Sequence, residues 1–299
     1  MTTNNGLLLL DKPRGVTSHD VVARVRKALN EQRVGHAGTL DPMATGLLVV
    51  AVGPATRLLR FAQSETKRYS GVVTFGVATD SLDADGEVLE RRDVPNLTAE
   101  DVNERARGML GPQQQTPPMV SALKIKGRRL HALAREGVEV DRPPRDITID
   151  SFSLEPLASP NEWSFDVTCS VGTYVRVVLA DLAEQLGTIG HLSALRRLAS
   201  GSHLIEDAST LDEFERRVDN GESALLPPRA FVEQLESVVV TADEATRLRQ
   251  GQRVNLDVTS DAEIAALSES GSLVGVLRPR GESWQGTVVM PDEETEDRG

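Results

Sequence analysis

Cysteine and aromatic residues are scarce in this sequence. Of 299 residues, one is cysteine, Cys169, and 3% are aromatic. A single cysteine excludes an intramolecular disulfide framework and a zinc site built from several cysteines. The low aromatic content argues against a general platform for single-stranded nucleic acid, because such a platform needs stacking faces.

Long apolar runs and cofactor motifs are also missing. The longest apolar run, residues 47–52, is far too short to span a bilayer, and residues 1–6 lack the basic start of a signal peptide. The sequence has no dinucleotide fingerprint, P-loop or Gly-x-Ser-x-Gly elbow, and its five histidines lack helical ligand spacing. We therefore expect a cytoplasmic protein with no membrane association, no cofactor and no metal ion.

Charge is distributed unevenly along the chain. Hydrophobic residues make up 39% and charged residues 26%, a balance typical of a soluble globular protein. Residues 1–200 hold 24 Lys and Arg against 24 Asp and Glu, whereas residues 201–299 hold 9 against 21 and supply the whole net charge of −12. The acidic total therefore does not exclude a basic surface in the first two thirds.

Hydrophobic periodicity and capping residues predict a mixture of strands and helices. Strands are predicted at 6–10, 47–52, 69–76, 87–90, 147–155 and 163–170. Helices are predicted after the capping residues Thr17 and Thr98 and across 177–186. Residues 219–229 are predicted to be a linker, and the strand-like runs 236–241, 272–278 and 283–290 with a helix at 241–249 predict a small second domain.

The densest cluster of unusual residues lies at 35–46, Gly-His-Ala-Gly-Thr-Leu-Asp-Pro-Met-Ala-Thr-Gly. Three glycines and a proline predict a tight loop between two regular elements. The proline after Asp41 disfavours the helical region for that residue, so its carboxylate is held on extended backbone. From the residues alone, Asp41 is either an Asx-turn residue that caps its own backbone or a functional carboxylate.

This loop and six further motifs resemble the TruB family of pseudouridine synthases. The further motifs follow in family order at 10–18, 67–69, 79–86, 121–124, 172–176 and 195–198. The resemblance covers residues 6–200 and is weaker beyond 230. It implies an α+β fold, in which a mixed-sheet catalytic domain with a thumb-like RNA-gripping insertion is followed by a β-rich PUA-like domain. The implied segments are 1–230 for the catalytic domain, about 113–145 for the thumb and 231–291 for the PUA-like domain. Residues 292–299 are mostly acidic and are predicted from their composition to be a disordered tail.

The implied activity is that of a tRNA pseudouridine-55 synthase, which flips uridine 55 out of the T-arm and isomerises it without a cofactor. Asp41 matches the family's catalytic aspartate and is ionised at neutral pH when its pKa is ordinary. Three routes stay open for this carboxylate: attack on C1′, attack on C6, or removal of the C2′ proton to give a glycal.

Several other residues match site positions of the family. Arg176 matches the arginine that pairs with the aspartate, and we expect a bidentate contact that keeps the carboxylate charged. Tyr69 matches the tyrosine that lies against the flipped base and is implicated in removing the C5 proton. Tyr174 and Leu195 match residues that shape the uracil pocket, and each is equally explained as core. His36 matches the histidine beside the flipped nucleotide; Asp83 matches an active-site aspartate but also suits a turn.

RNA binding is expected from a basic stretch between residues 124 and 145, which falls in the thumb. Its cations are Lys124, Lys126, Arg128, Arg129, Arg135, Arg142 and Arg145. Phosphate contacts of this kind predict steep salt dependence of tRNA binding. Val120 and His131 stand where the family often has aromatic residues, so shape recognition of a folded tRNA arm is favoured over stacking. We expect a monomer with no obligatory protein partner.

Two other functions fit parts of this pattern. A guide-RNA-dependent synthase of the same superfamily would act inside a complex. An RNA-binding protein or tRNA-folding chaperone would act by binding RNA, without catalysis. A catalytically dead paralogue is disfavoured because Asp41, Tyr69 and Arg176 are all present.

Overall fold

The computed structural model describes residues 4–63, 66–119, 124–125, 128–129 and 140–292, with backbone alone at 124–125 and 128–129. Four residues named above lie outside these ranges: Val120, Lys126, His131 and Arg135. No helix in the described part of the chain is long and apolar enough to cross a membrane.

A large mixed sheet organises the first two thirds of the chain. Its described strands are β1 (Gly6–Lys12), β2 (Val34–His36), β3 (Thr45–Val52), β4 (Lys67–Phe75), β7 (Gly111–Gln115), β10 (Arg145–Pro156), β11 (Glu162–Cys169), β12 (Gly190–Ser200), β13 (His203–Leu204) and β14 (Ser209–Thr210). Their order is β14-β1-β3-β12-β4-β11-β10-β7, with β2 paired to β3 and β13 to β12. The fold is therefore the predicted α+β type with a mixed sheet.

Smaller strand pairs and helices complete this part of the molecule. The hairpins are β5 (Val77–Thr79) with β6 (Val88–Arg91), and β8 (Lys124–Ile125) with β9 (Arg128–Arg129). The helices are α1 (Ser18–Leu29), α2 (Leu59–Gln63), α3 (Ala99–Gly108), α4 (Val175–Gln185) and α5 (Leu211–Asp219). Helices α1 and α3 begin at Thr17 and Thr98 with capping boxes, which confirms both predicted helix starts.

The apolar run 47–52 is explained by burial of β3 on both faces. Leu47 and Val49 pack with the C-terminal residues Val276 and Val288, whereas Leu48 and Val50 pack in a second cluster with α1 and α5. Because side chains alternate along a strand, a strand covered on both faces needs apolar residues at every position.

The last part of the chain forms a separate four-stranded sheet. It consists of β15 (Ser237–Val239), β16 (Ile264–Leu267), β17 (Leu273–Arg280) and β18 (Ser283–Val289), with α6 (Ala242–Arg249) packed against it. The predicted linker begins inside α5, and Leu226 exchanges backbone hydrogen bonds of 2.8 and 2.9 Å with Leu7 of β1. The segment predicted to be a linker is therefore attached to the main sheet at Leu226.

Strand β12 occupies the centre of the main sheet. No strand was predicted from the sequence at these residues. Strand β12 runs parallel to β3 and antiparallel to β4, and Arg197 pairs with Gly46 on one side and Tyr69 on the other. Gly46 has φ of +100°, and a Cβ atom there would overlap the Arg197 carbonyl oxygen and lie 2.7 Å from its nitrogen. Only glycine lets β12 approach β3 this closely.

We expect Gly46→Ala to lower the free energy of unfolding by at least about 2 kcal/mol, because it adds a backbone clash to a strained φ. Urea denaturation measures the loss. Gly108→Ala is the matched control, since Gly108 lies at the end of α3 with open space around it, and it should change stability by less than about 1 kcal/mol. Equal midpoints for the two variants would contradict the tight approach of β12.

Candidate functional site

The loop that carries Asp41 joins β2 to β3 and is fixed to the rest of the chain by hydrogen bonds to its backbone. The buried Ser18 hydroxyl both donates to the Leu40 carbonyl at 3.1 Å and accepts from the Leu40 amide at 2.9 Å. The Gly15 amide donates to the Pro42 carbonyl at 2.8 Å. The residues on both sides of Asp41 are thus held by Ser18 at the start of α1 and by Gly15 in the turn that precedes it.

Lys12 is a fully buried cation beside this loop. Its Nζ donates to the Val16 carbonyl at 2.7 Å, the Pro13 carbonyl at 3.0 Å and the Pro42 carbonyl at 3.4 Å. Burial lowers the pKa of Lys12 to about 8, although the charge of Asp41 acts in the opposite direction. The ammonium therefore contributes positive charge near Asp41 at neutral pH.

Arg176 bridges two carboxylates. It lies in the first turn of α4, and its Nη2 is 3.4 Å from Asp41 Oδ2 while its Nη1 is 3.4 Å from Asp83 Oδ2. The expected bidentate pairing with Asp41 is wrong. The two terminal nitrogens face different carboxylates, so each acid receives one of them. The Arg176 Nη1 also donates to the Ser81 carbonyl at 3.2 Å.

Asp83 is held firmly on the far side of Arg176. Its side chain is buried, and its Oδ1 accepts from the Ser81 hydroxyl at 2.6 Å and from the Asp85 amide at 3.1 Å. The Thr79 hydroxyl donates to its carbonyl at 2.7 Å. Asp83 therefore lies in a turn, which was one of its two predicted roles. The same turn orients its carboxylate towards Arg176.

The Asp41 carboxyl has a raised pKa. The low-dielectric walls around it raise the value, the Arg176 charge lowers it, and the Asp83 charge raises it again. The side chain stays 39% exposed towards a cavity. No hydrogen bond within the described residues ties this carboxylate to its own loop, so the Asx-turn explanation is not supported and the group faces the cavity.

Tyr69 lies on β4, is partly buried, and lines the same cavity as the Asp41 loop. Burial raises the pKa of its phenol, while the neighbouring Arg197 guanidinium lowers it by charge and hydrogen bonding. Tyr69 therefore presents a neutral hydroxyl to the cavity at pH 7.

The cavity has a volume of about 630 Å³ and brings most of the predicted site residues together. Its walls include Asp41, Tyr69, Arg176, Tyr174, Leu195 and His36. The Arg176 guanidinium carbon lies 5.7 Å from the centre of the Tyr174 ring, which is within cation–π range. Burial lowers the pKa of His36, and its ring meets that of His19 edge-on at 5.8 Å. A neutral His36 suits stacking or hydrogen bonding.

The predicted RNA-binding cations are only partly described. Lys124, Arg128 and Arg129 belong to the β8–β9 hairpin, where the backbone alone is described. Arg145 is exposed and lines the cavity, and the Arg142 Nη1 donates to the Pro117 carbonyl at 3.0 Å. The roles of the thumb cations therefore stay predictions.

Lys12, Ser18 and Arg197 were not singled out from the sequence. All three lie inside motifs that carry the family resemblance, at 10–18 and 195–198. A buried side chain that binds the backbone of a distant loop produces no hydrophobic periodicity in the sequence. Only the presence of these residues in family motifs could have indicated that they belong to the site. In the described ranges, no group of three or more histidine, cysteine, aspartate or glutamate side chains is arranged to hold a metal ion.

We expect Ser18→Ala to lower the free energy of unfolding by about 1–3 kcal/mol, because it leaves two buried backbone groups of Leu40 without a partner. Thermal or urea unfolding measures the change. Ser164→Ala, which removes an exposed hydroxyl that donates to the Glu155 carbonyl at 3.2 Å, is the control and should have a much smaller effect. An equally small effect for Ser18→Ala would contradict its anchoring role.

Three kinds of comparison place the chain among known proteins. Residues 26–175 match the N-terminal domain model of the TruB family of pseudouridylate synthases, a match that contains Asp41 and Tyr69 and ends one residue before Arg176. The tRNA pseudouridine synthase B of Opitutus terrae is 49% identical over 71% of this chain and 87% of its own length. That of Streptococcus pneumoniae is 40% identical over 96% of this chain and 99% of its own length.

Solved structures agree on the fold. An H/ACA ribonucleoprotein bound to a substrate RNA superposes with a TM-score of 0.73 at 20% identity, covering 97% of this chain and 86% of the other. A Cbf5-Nop10-Gar1 complex superposes with a TM-score of 0.70 at 24% identity, covering 96% and 84%. With relatives this similar in sequence and this fold, the chain belongs to the TruB family of pseudouridylate synthases.

Proposed function

We propose that this protein isomerises uridine 55 in the T-arm of tRNA to pseudouridine. In this reaction the bond between N1 and C1′ breaks and a bond between C5 and C1′ forms. The C5 proton leaves and N1 gains a proton, so the reaction is balanced without an oxidant or reductant. The observation that carries the proposal is the Asp41 carboxylate, which faces a cavity of about 630 Å³ that Tyr69 also lines, and which lies beside Arg176.

Asp41 is the proposed catalytic carboxylate. It is the one acid among the described residues that line the cavity, whereas Asp83 is buried behind Arg176. Arg176 keeps Asp41 charged against the walls that raise its pKa, and it orients the carboxylate towards the bound nucleotide. Each of the three routes, through C1′, C6 or C2′, begins with an ionised carboxylate at this position.

Tyr69 is the proposed group for removal of the C5 proton once the base is reattached. Its hydroxyl lies at the cavity wall, and Tyr174 and Leu195 supply the remaining contacts with the uracil ring. His36 fills the space beside the flipped nucleotide, where a neutral imidazole can stack without acting as an acid or base.

The proposed substrate is free tRNA, bound by the cations of the thumb. The chain would act in the cytoplasm as a monomer, with segments 1–230 and 231–291 as catalytic and PUA-like domains. Relatives that are 40–49% identical carry the name tRNA pseudouridine synthase B, which favours this substrate over the guide-dependent alternative. The ribonucleoprotein structures are only 20–24% identical and support the fold alone.

We expect Asp41→Asn to lower the rate of tritium release from tRNA labelled at uridine C5 by at least about a thousandfold, because it removes the reacting charge. The assay uses purified protein and unmodified tRNA, with no guide RNA and no other protein. A transcript with cytidine in place of uridine 55 should give no pseudouridine. Asp219→Asn, an exposed change on α5, is the control and should retain full activity.

The binding of Asp41→Asn to the same tRNA separates the alternatives. We expect its dissociation constant to stay within about threefold of that of the unaltered protein, because thumb and phosphate contacts supply most of the affinity. Tight binding without tritium release by the unaltered protein would favour a chaperone or a guide-dependent enzyme and would exclude the proposal.

The pH dependence of the single-turnover rate should report the raised pKa of Asp41. Because protonation removes the reacting carboxylate, activity is lost as pH falls, and the midpoint should lie above the ordinary Asp value of about 4. Asp85 is exposed, and its charge raises the pKa of Asp41. Asp85→Asn should therefore move the midpoint to lower pH, and a midpoint that moves upward would contradict this electrostatic assignment.

A further inference from the structure

Two consecutive arginines on β12 point to opposite sides of the sheet. Arg196 makes a bidentate contact with Asp11 at 2.7 and 3.0 Å and is 40% exposed. Arg197 is almost fully buried, and its Nε donates to the Leu47 carbonyl at 2.6 Å while its Nη2 donates to the Gly38 carbonyl at 3.2 Å. Arg196 therefore forms a partly exposed ion pair, whereas Arg197 binds backbone carbonyl groups.

The two carbonyls that Arg197 binds lie on either side of Asp41. Gly38 is in the loop just before it, and Leu47 is near the start of β3 just after it. Gly38 has φ of +107°, and a Cβ atom there would lie 3.5 Å from Arg197 Nη1. One planar guanidinium therefore joins the two ends of the segment that presents the carboxylate, and its donors are held in a fixed fork that an ammonium lacks.

The same guanidinium faces Tyr69. Arg197 and Tyr69 are directly opposite each other in the β12–β4 pairing, and both line the cavity. The Arg197 charge and hydrogen bonding act on the Tyr69 phenol. Arg197 thus connects the strand of Tyr69 with the loop of Asp41 through one rigid group.

The charge of Arg197 makes an ordinary packing role a poor explanation. Within the described residues it forms no salt bridge with a carboxylate, and an arginine cannot lose its proton to escape burial. Burying an unpaired cation is costly unless its hydrogen bonds are satisfied. A side chain used only as filler would be apolar here.

We propose that Arg197 is a positioning residue that sets the Tyr69 hydroxyl relative to the Asp41 loop. This inference rests on the proposed function, because the effect on rate is defined for that reaction. Arg197→Lys keeps the charge but removes the fork that binds Gly38 and Leu47, so it separates geometry from charge.

Kinetics with a matched neighbour give the first test. We expect Arg197→Lys to lower the single-turnover rate of pseudouridine formation by about tenfold to a hundredfold, with the dissociation constant for tRNA changed less than about twofold. Arg196→Lys, on the same strand and outside the cavity, should change neither by more than about twofold. Rate and affinity falling in parallel, or equal losses in the two variants, would overturn the proposal.

Tyrosine NMR gives the second test and does not depend on turnover. The chain has only two tyrosines, Tyr69 and Tyr174, so labelling the ring carbon that bears the hydroxyl yields two signals, and Tyr174→Phe assigns them. Arg197→Lys should move the Tyr69 signal by more than its line width and leave that of Tyr174 in place. An unmoved Tyr69 signal in the folded variant would exclude the contact.

The two tests distinguish the failure of this inference from the failure of the proposed function. If the unaltered protein releases no tritium from tRNA, the proposed reaction is wrong, and the Tyr69 signal still reports whether Arg197 acts on Tyr69. If Arg197→Lys does not fold, Arg197→Gln in the same NMR experiment decides, since its amide also fails to reach both carbonyls and the phenol.

Discussion

The site depends on keeping a negative charge at Asp41 beside walls that oppose it. Burial and the neighbouring Asp83 both raise the pKa of Asp41, and Arg176 is the main opposing charge. The guanidinium cannot simply pair with Asp41, because its second terminal nitrogen belongs to Asp83 at the same distance of 3.4 Å. Because Arg176 is shared between two acids, it neutralises Asp41 only in part, and Lys12 adds a weaker opposing charge. A carboxylate that was fully paired would be more stable but less available to a substrate.

The geometry around that charge is fixed mainly through backbone atoms. Ser18 binds both polar groups of Leu40, the Gly15 amide binds the Pro42 carbonyl, and Arg197 binds Gly38 and Leu47. These anchors hold the loop without contacting the Asp41 carboxylate, so that group stays open to the cavity. Glycine at position 46 belongs to the same arrangement, because β12 must approach β3 closely enough to deliver Arg197. Preorganisation of this kind lowers the cost of aligning the reacting groups when the substrate binds.

Local signals in the sequence predicted much of the fold, whereas the family resemblance was needed to select Asp41 as the central residue of the site. The capping boxes at Thr17 and Thr98 and the loop at 35–46 are written in neighbouring residues, and they were found. Strand β12 was not predicted, because two consecutive arginines are typical of a solvated segment. Their partners are the Asp11 carboxylate and the Leu47 carbonyl, which lie 185 and 150 residues away in the sequence. The division of Arg176 between two carboxylates escaped prediction for the same reason. Motif resemblance located these residues but could not show which atoms they bind.

The C-terminal sheet contributes to this arrangement as a cover for the central strands. Leu7 and Leu47 place their side chains in a cluster with Phe231, Val276 and Met290, so the C-terminal part of the chain helps to bury one face of β1 and β3. Arg60 of α2 reinforces the contact through Glu263 at 2.6 Å. Strand β3 begins four residues after Asp41, so this packing stabilises the strand that follows the Asp41 loop. Residues 231–291 hold nine Asp and Glu against five Arg. This charge also fits a supporting role, because a surface of net negative charge would repel tRNA phosphates.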